Sequence, residues 1–186
     1  MEAILPLVLI AVIVPLALLL LAKTGRLRAL PSHTGQGAPA LFQVIEALIR
    51  QRPFTRHAVR RITGTNPWEL DSNNYFKTFM SDQDAKATIQ AVELRIPTSA
   101  SSKKDGLVIL TVNTAARITP EAVRKHFGSE PDLSVPEPAA PCQYAYTYRQ
   151  PWGDLSFEFA RRTEYLMTVA IDAIEPHPAA STGPAT

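Results

Sequence analysis

The chain has one cysteine in 186 residues, Cys142, so no disulfide can form within it. Cysteine usage therefore does not separate an oxidising compartment from a reducing one. Its four histidines, His33, His57, His126 and His177, are scattered, and no paired-cysteine or His-x-x-x-His spacing suits a metal. No Gly-x-x-x-x-Gly-Lys loop and no Gly-x-Ser-x-Gly elbow is present. Cys142, on an apolar, tyrosine-flanked stretch, reads as a buried inert thiol rather than a nucleophile. Charge of one sign is also missing: 19 Lys and Arg against 17 Asp and Glu leave a net charge of +2. That balance gives no global field for nucleic acid. The expectation is a protein without catalytic residues, cofactor or metal, and without a nucleic-acid partner.

What the chain does have is a stretch that occurs twice. Residues 54–67 and 118–131 share Thr55/Thr119, Ala58/Ala122, Val59/Val123, Arg60/Arg124, Gly64/Gly128 and Pro67/Pro131. The matches fall where a short helix needs them. Thr is a good N-cap, Ala and Val give an apolar stripe, Gly suits the end, and Pro stops the helix from resuming. Self-similarity of this kind marks a duplicated supersecondary unit.

From Ala3 to Ala22 no residue is charged and Leu, Ile and Val dominate. About 20 apolar residues match a bilayer core, and the run lacks the basic start and Ala-x-Ala site of a cleaved signal. It reads as a retained transmembrane anchor over 1–23, meeting the membrane through residues 3–22. The expected localisation is a single pass in a bacterial inner membrane. Lys23, Arg26 and Arg28 follow the run and bias the rest toward the cytoplasm.

Residues 24–39 read as a linker and 175–186 as a disordered tail. Between them, 40–174 reads as one α/β domain in two repeats, 40–113 and 118–174. Leu41, Val44, Ile45, Leu48 and Ile49 recur at helical spacing, so a helix is expected over 40–52. The repeated helices follow at Thr55–Ile62 and Thr119–Phe127. Period-two alternation then predicts strands over Asn74–Met80, Thr88–Ile96, Gly106–Val112, Cys142–Arg149, a stretch around Leu155–Phe159, and Tyr165–Asp172. The expected fold class is α+β: a transmembrane helix, then two helix-plus-three-strand repeats forming one antiparallel sheet with helices on one face.

This layout resembles the small modules of the beta-lactamase-inhibitor protein fold and of the SmpA/OmlA (BamE-type) outer-membrane assembly lipoproteins. The carriers are Thr119, Val123, Gly128 and Pro131, followed by Tyr146, Phe157 and Val169; Thr55, Val59, Gly64 and Pro67 match less faithfully. The chain departs from the lipoproteins in having no lipidated cysteine and from the inhibitors in having no paired cysteines. The resemblance implies a protein-binding or assembly role and places the domain in the periplasm, against the charge bias.

Alternation assigns Tyr144, Tyr146 and Tyr148 to the helix side and leaves an open face with Gln143, Thr147, Arg149, Ser156, Glu158, Glu93, Arg95 and Lys77. Thr147, Arg149, Glu158, Glu93 and Arg95 are the candidate partner-binding residues, with Trp152 and Trp68 as loop aromatics that either anchor a contact or cap the core edge. Arg50, Arg52, Arg56, Arg60 and Arg61 form a basic cluster that either meets anionic lipid headgroups or is a solvated helix face. The expected function is a membrane-anchored protein-interaction module, an accessory or assembly subunit. An inhibitor or immunity-type protein and a small lipid- or ligand-binding domain are the alternatives.

Overall fold

A computed structural model of the protein describes residues 37–82, 85–135 and 143–173. All belong to one compact unit, His33–Thr186. Helix α1 runs over Ala38–Arg50 and α2 over Arg56–Thr63, followed by strands β1 (Trp68–Ser72), β2 (Phe76–Asp82), β3 (Ile89–Pro97) and β4 (Leu107–Val112). A 3-10 turn at Thr114–Ala116 leads into α3 (Pro120–Phe127), then β5 (Asp132–Ser134), β6 (Gln143–Gln150), β7 (Gly153–Ala160) and β8 (Leu166–Ala173).

The helices form for the local reasons the sequence gives. The Thr55 hydroxyl accepts from the Ala58 N–H at 3.2 Å, and the Thr119 hydroxyl accepts from the Ala122 N–H at 3.3 Å. Each satisfies a donor that the first turn leaves without an intrahelical partner. Glu121, at the start of α3, is held below the usual carboxylate range by a backbone N–H and then by the Thr119 hydroxyl. The two ends differ. Gly64 closes α2 in the left-handed region at φ 72°, ψ 6°, whereas Gly128 leaves α3 at φ 124°, ψ 157°.

All eight strands join one antiparallel sheet in the order β1-β2-β3-β4-β8-β7-β6-β5. The expected pair of helix-plus-three-strand repeats is thus corrected. Among the described residues eight strands form rather than six, and four strands follow each of α2 and α3. The two additional strands, β1 and β5, are the sheet's edges, and every residue in them is exposed. Strand β1 does carry a brief alternation, Trp68 and Leu70 against Glu69 and Asp71, which the expected layout omits, and β5 with three residues is too short to show one.

The transmembrane part of the expected fold is corrected as well. Among the described residues no helix is long and apolar enough to cross a membrane. The longest, α1, has 13 residues, about 20 Å of rise against a hydrocarbon core of about 30 Å. Its Leu41, Val44, Ile45 and Leu48 are buried in the protein core. The run at 3–22, the linker residues 24–36, the tail 175–186 and Cys142 lie outside the described residues. On this finding the single-pass inner-membrane localisation is withdrawn.

One face of the sheet holds the core. Register aligns Phe79, Leu94, Val108, Ile171, Leu155 and Tyr148 across β2, β3, β4, β8, β7 and β6, and all are buried. A second row aligns Val92, Leu110, Val169 and Phe157. The helices pack on this side. The Phe127 ring of α3 lies 5.0 Å from Phe157 and 5.2 Å from Phe42 of α1. Val59 and Ile62 of α2 join the same cluster.

Candidate functional site

The opposite face is set by the same register, one residue out of step, because side chains alternate across a strand. Its central row aligns Met80, Glu93, Ile109, Ala170, Ser156 and Thr147. Trp68 pairs with Met80 and extends that row to the edge, where it is 45% exposed. A neighbouring row aligns Thr78, Arg95, Leu107, Asp172, Asp154 and Arg149. A third aligns Asp82, Ala91, Thr111, Thr168, Glu158 and Ala145. Among the described residues all three helices pack on the other side. Here the face is apolar near its middle, at Met80, Leu107 and Ile109, and charged around that strip.

The charges are unevenly paired. Arg95 Nε lies 2.6 Å from Glu93 Oε1, and Arg149 Nε lies 2.9 Å from Asp132 Oδ2. Lys103 reaches in from the β3–β4 loop to Asp172 Oδ1 at 2.9 Å. The Thr147 and Ser156 hydroxyls bond each other at 2.9 Å. Asp154 and Glu158 form no ion pair among the described residues. By register, Asp71, Asp82, Glu93, Asp132, Asp154, Glu158 and Asp172 all belong to this side. Of the strand residues there, only Arg95 and Arg149 are basic.

The helix layer has the reverse sign: Arg50, Arg52, Arg56, Arg60, Arg61, Arg124 and Lys125 face only Glu46 and Glu121. Four arginines of the expected cluster have separate partners. Arg50 pairs with Glu46 at 3.6 Å, and Arg61 donates to the Gln51 Oε1 at 2.8 Å. Arg56 lies over the Phe79 ring at 5.6 Å. Arg52 donates to the Ile49 carbonyl at 2.9 Å while its guanidinium covers the Trp152 ring at 4.5 Å. These stems cover apolar edges of the core.

No protein-family model matches this chain, and no curated protein or solved structure matches it.

Thr147, Arg149, Glu158, Glu93 and Arg95 therefore share one face, as alternation implies, and Trp68 stands at its end as the first residue of a strand rather than in a loop. Trp152 does not join them. It lies in the β6–β7 turn and packs against the core under Arg52. Lys77 belongs to the helix side, in register with Ile96. Asp154 and Asp172 escape a reading that assigns Asp154 to a turn, yet Asp154, Ser156 and Glu158 do alternate. Leu107 and Ile109 carry no such signal, since in β4 they are as apolar as the inward Val108 and Leu110.

Tyr144, Tyr146 and Tyr148 face the helix side, against Phe159 and Phe157. The Tyr148 hydroxyl donates to the Gly128 carbonyl at 2.9 Å, tying β6 to the end of α3. Burial is the main cause that pushes the Tyr148 phenol up from its ordinary value, with Tyr144 pushed the same way for the same reason. A phenol raised in the fold holds its proton there longer than in the unfolded chain. Its stabilisation is complete below the unfolded value of about 10 and is lost as pH rises through the folded value. Tyr148→Phe should cost about 1 kcal/mol near pH 7. Above pH of about 10 it should lose stability less steeply than the wild type, which thermal melts at pH 7 to 11 will read.

Two hollows among the described residues are small for ligand pockets. One of about 90 Å³ is lined by Lys86, Thr88 and Asn113, and a more open one of about 280 Å³ by Phe127, Glu130 and Tyr148. Sites for drug-sized ligands run from about 300 to 1,000 Å³ and are mostly apolar.

Proposed function

We propose that the protein is an interaction module that binds another protein through the outer face of its sheet. The observation that carries this reading is the asymmetry of the sheet. Helices cover one side, while the other presents Met80, Leu107 and Ile109 among charged and hydroxyl side chains and ends at an exposed tryptophan. An apolar centre with a polar surround and an aromatic anchor is the composition of protein interfaces. The face favours docking over strand addition at an edge. Edge β1 has five residues, a bulge between Glu69 and Asp71, and two carboxylates, and β5 has three residues. Short, bulged and charged edges resist pairing with another strand. The resemblance to inhibitor and assembly modules points to the same class of role.

Ile109→Thr tests the reading, because it removes apolar contact from the middle of the face while keeping a β-branched side chain. With the full chain as bait, a protein retained by the wild type should bind the variant about tenfold more weakly, a loss of about 1.4 kcal/mol. The melting midpoint should move by only a few degrees. Equal retention by both proteins would remove the outer face as the docking surface.

A further inference from the structure

The outer face also indicates the sign of the partner. The whole chain is close to neutral, yet its charge is divided by layer: carboxylates outnumber basic strand residues on the open side, and the helices carry the arginines. Asp154 and Asp172 are direct cross-strand neighbours. Like charges placed so cost stability, and Lys103 neutralises only Asp172. Glu158 stands four residues along β7 from Asp154 with no ion pair among the described residues. At the rise of an extended strand, four residues separate the two carboxylates by roughly 13 Å.

Resting on the docking reading above, we infer that the partner is a cationic polypeptide segment whose arginine or lysine side chains meet Asp154 and Glu158. Two basic residues four apart in an extended segment match the spacing. Short side chains between them would lie over Ser156 and Thr147, and apolar ones would reach Ile109. Arginine suits the site best, since its planar fork binds a carboxylate through two hydrogen bonds. Complementary charge of this kind also speeds encounter and makes it sensitive to salt.

The probes are fluorescent deca-arginine and deca-glutamate, titrated into the full-length protein at low salt and followed by anisotropy. Deca-arginine should bind in preference to deca-glutamate. The double substitution Asp154→Asn with Glu158→Gln should weaken it about tenfold. Arg149→Gln removes a cation and frees Asp132, so it should tighten binding about threefold. An unchanged melting midpoint in this variant separates the gain from misfolding. Unchanged affinity in both variants, or preference for deca-glutamate, would overturn the inference, as would loss of binding in Glu46→Gln on the helix side. If Ile109→Thr loses a captured protein while the double variant keeps it, the docking surface stands and the cationic partner does not.

Discussion

Phe157→Ala should lower stability by about 4 kcal/mol and the melting midpoint by more than about 10 °C. Phe157 has no exposed surface, and its ring meets Phe127 at 5.0 Å and Tyr148 at 5.9 Å. It thus joins the sheet, α3 and β6 at one point. Removing a buried aromatic ring loses its transfer free energy and leaves a hollow that three elements cannot all close. The adjacent Glu158 points the other way, so Glu158→Gln should change stability by less than about 0.5 kcal/mol. Chemical denaturation of the two variants reads both values. Comparable losses would mean that β7 does not separate a packed face from an open one.

Gly106→Ala should be the second large effect, at about 3 kcal/mol. The reason is close approach rather than an unusual backbone angle. A Cβ at residue 106 would overlap the carbonyl oxygen of Arg95 and crowd its neighbours. That obstacle is backbone, held by the β3–β4 ladder in which Arg95 pairs with Leu107. The Gly106 carbonyl also accepts from the Ala173 N–H at 3.1 Å. Relief would therefore disturb both β3 and β8. The midpoint should fall by about 8 °C or more. A fall below about 2 °C would show that the loop before β4 yields freely.

Much of this fold is legible in the chain, and the exceptions have physical causes. The helices announce themselves through Thr55 and Thr119, whose hydroxyls cap them, and through stripes that the core then buries. The half-buried strands β3, β6 and β7 are legible because one side of each is wet. That alternation places Thr147, Arg149 and Glu158 together on the outer face. Strand β5, three residues long, is too short to read, whereas β1 alternates Trp68 and Leu70 with Glu69 and Asp71 and is legible, though the expected layout omits it. The outward residues of β4 are hidden for a different reason: Leu107 and Ile109 are as apolar as inward Val108 and Leu110. Repetition between 54–67 and 118–131 fixes two helix starts but not a count of strands. The apolar run at 3–22 lies outside the described residues, among which no helix is long and apolar enough to cross a bilayer.

An amide-shift titration of the full-length protein with deca-arginine tests most directly whether the open face is where a cationic segment binds. Shifts should concentrate at Ile109, Thr147, Asp154, Ser156 and Glu158 and leave α1 and α2 unmoved. Perturbation centred on Arg56–Thr63 with a silent β7 would contradict the open face as the site that takes a cationic segment.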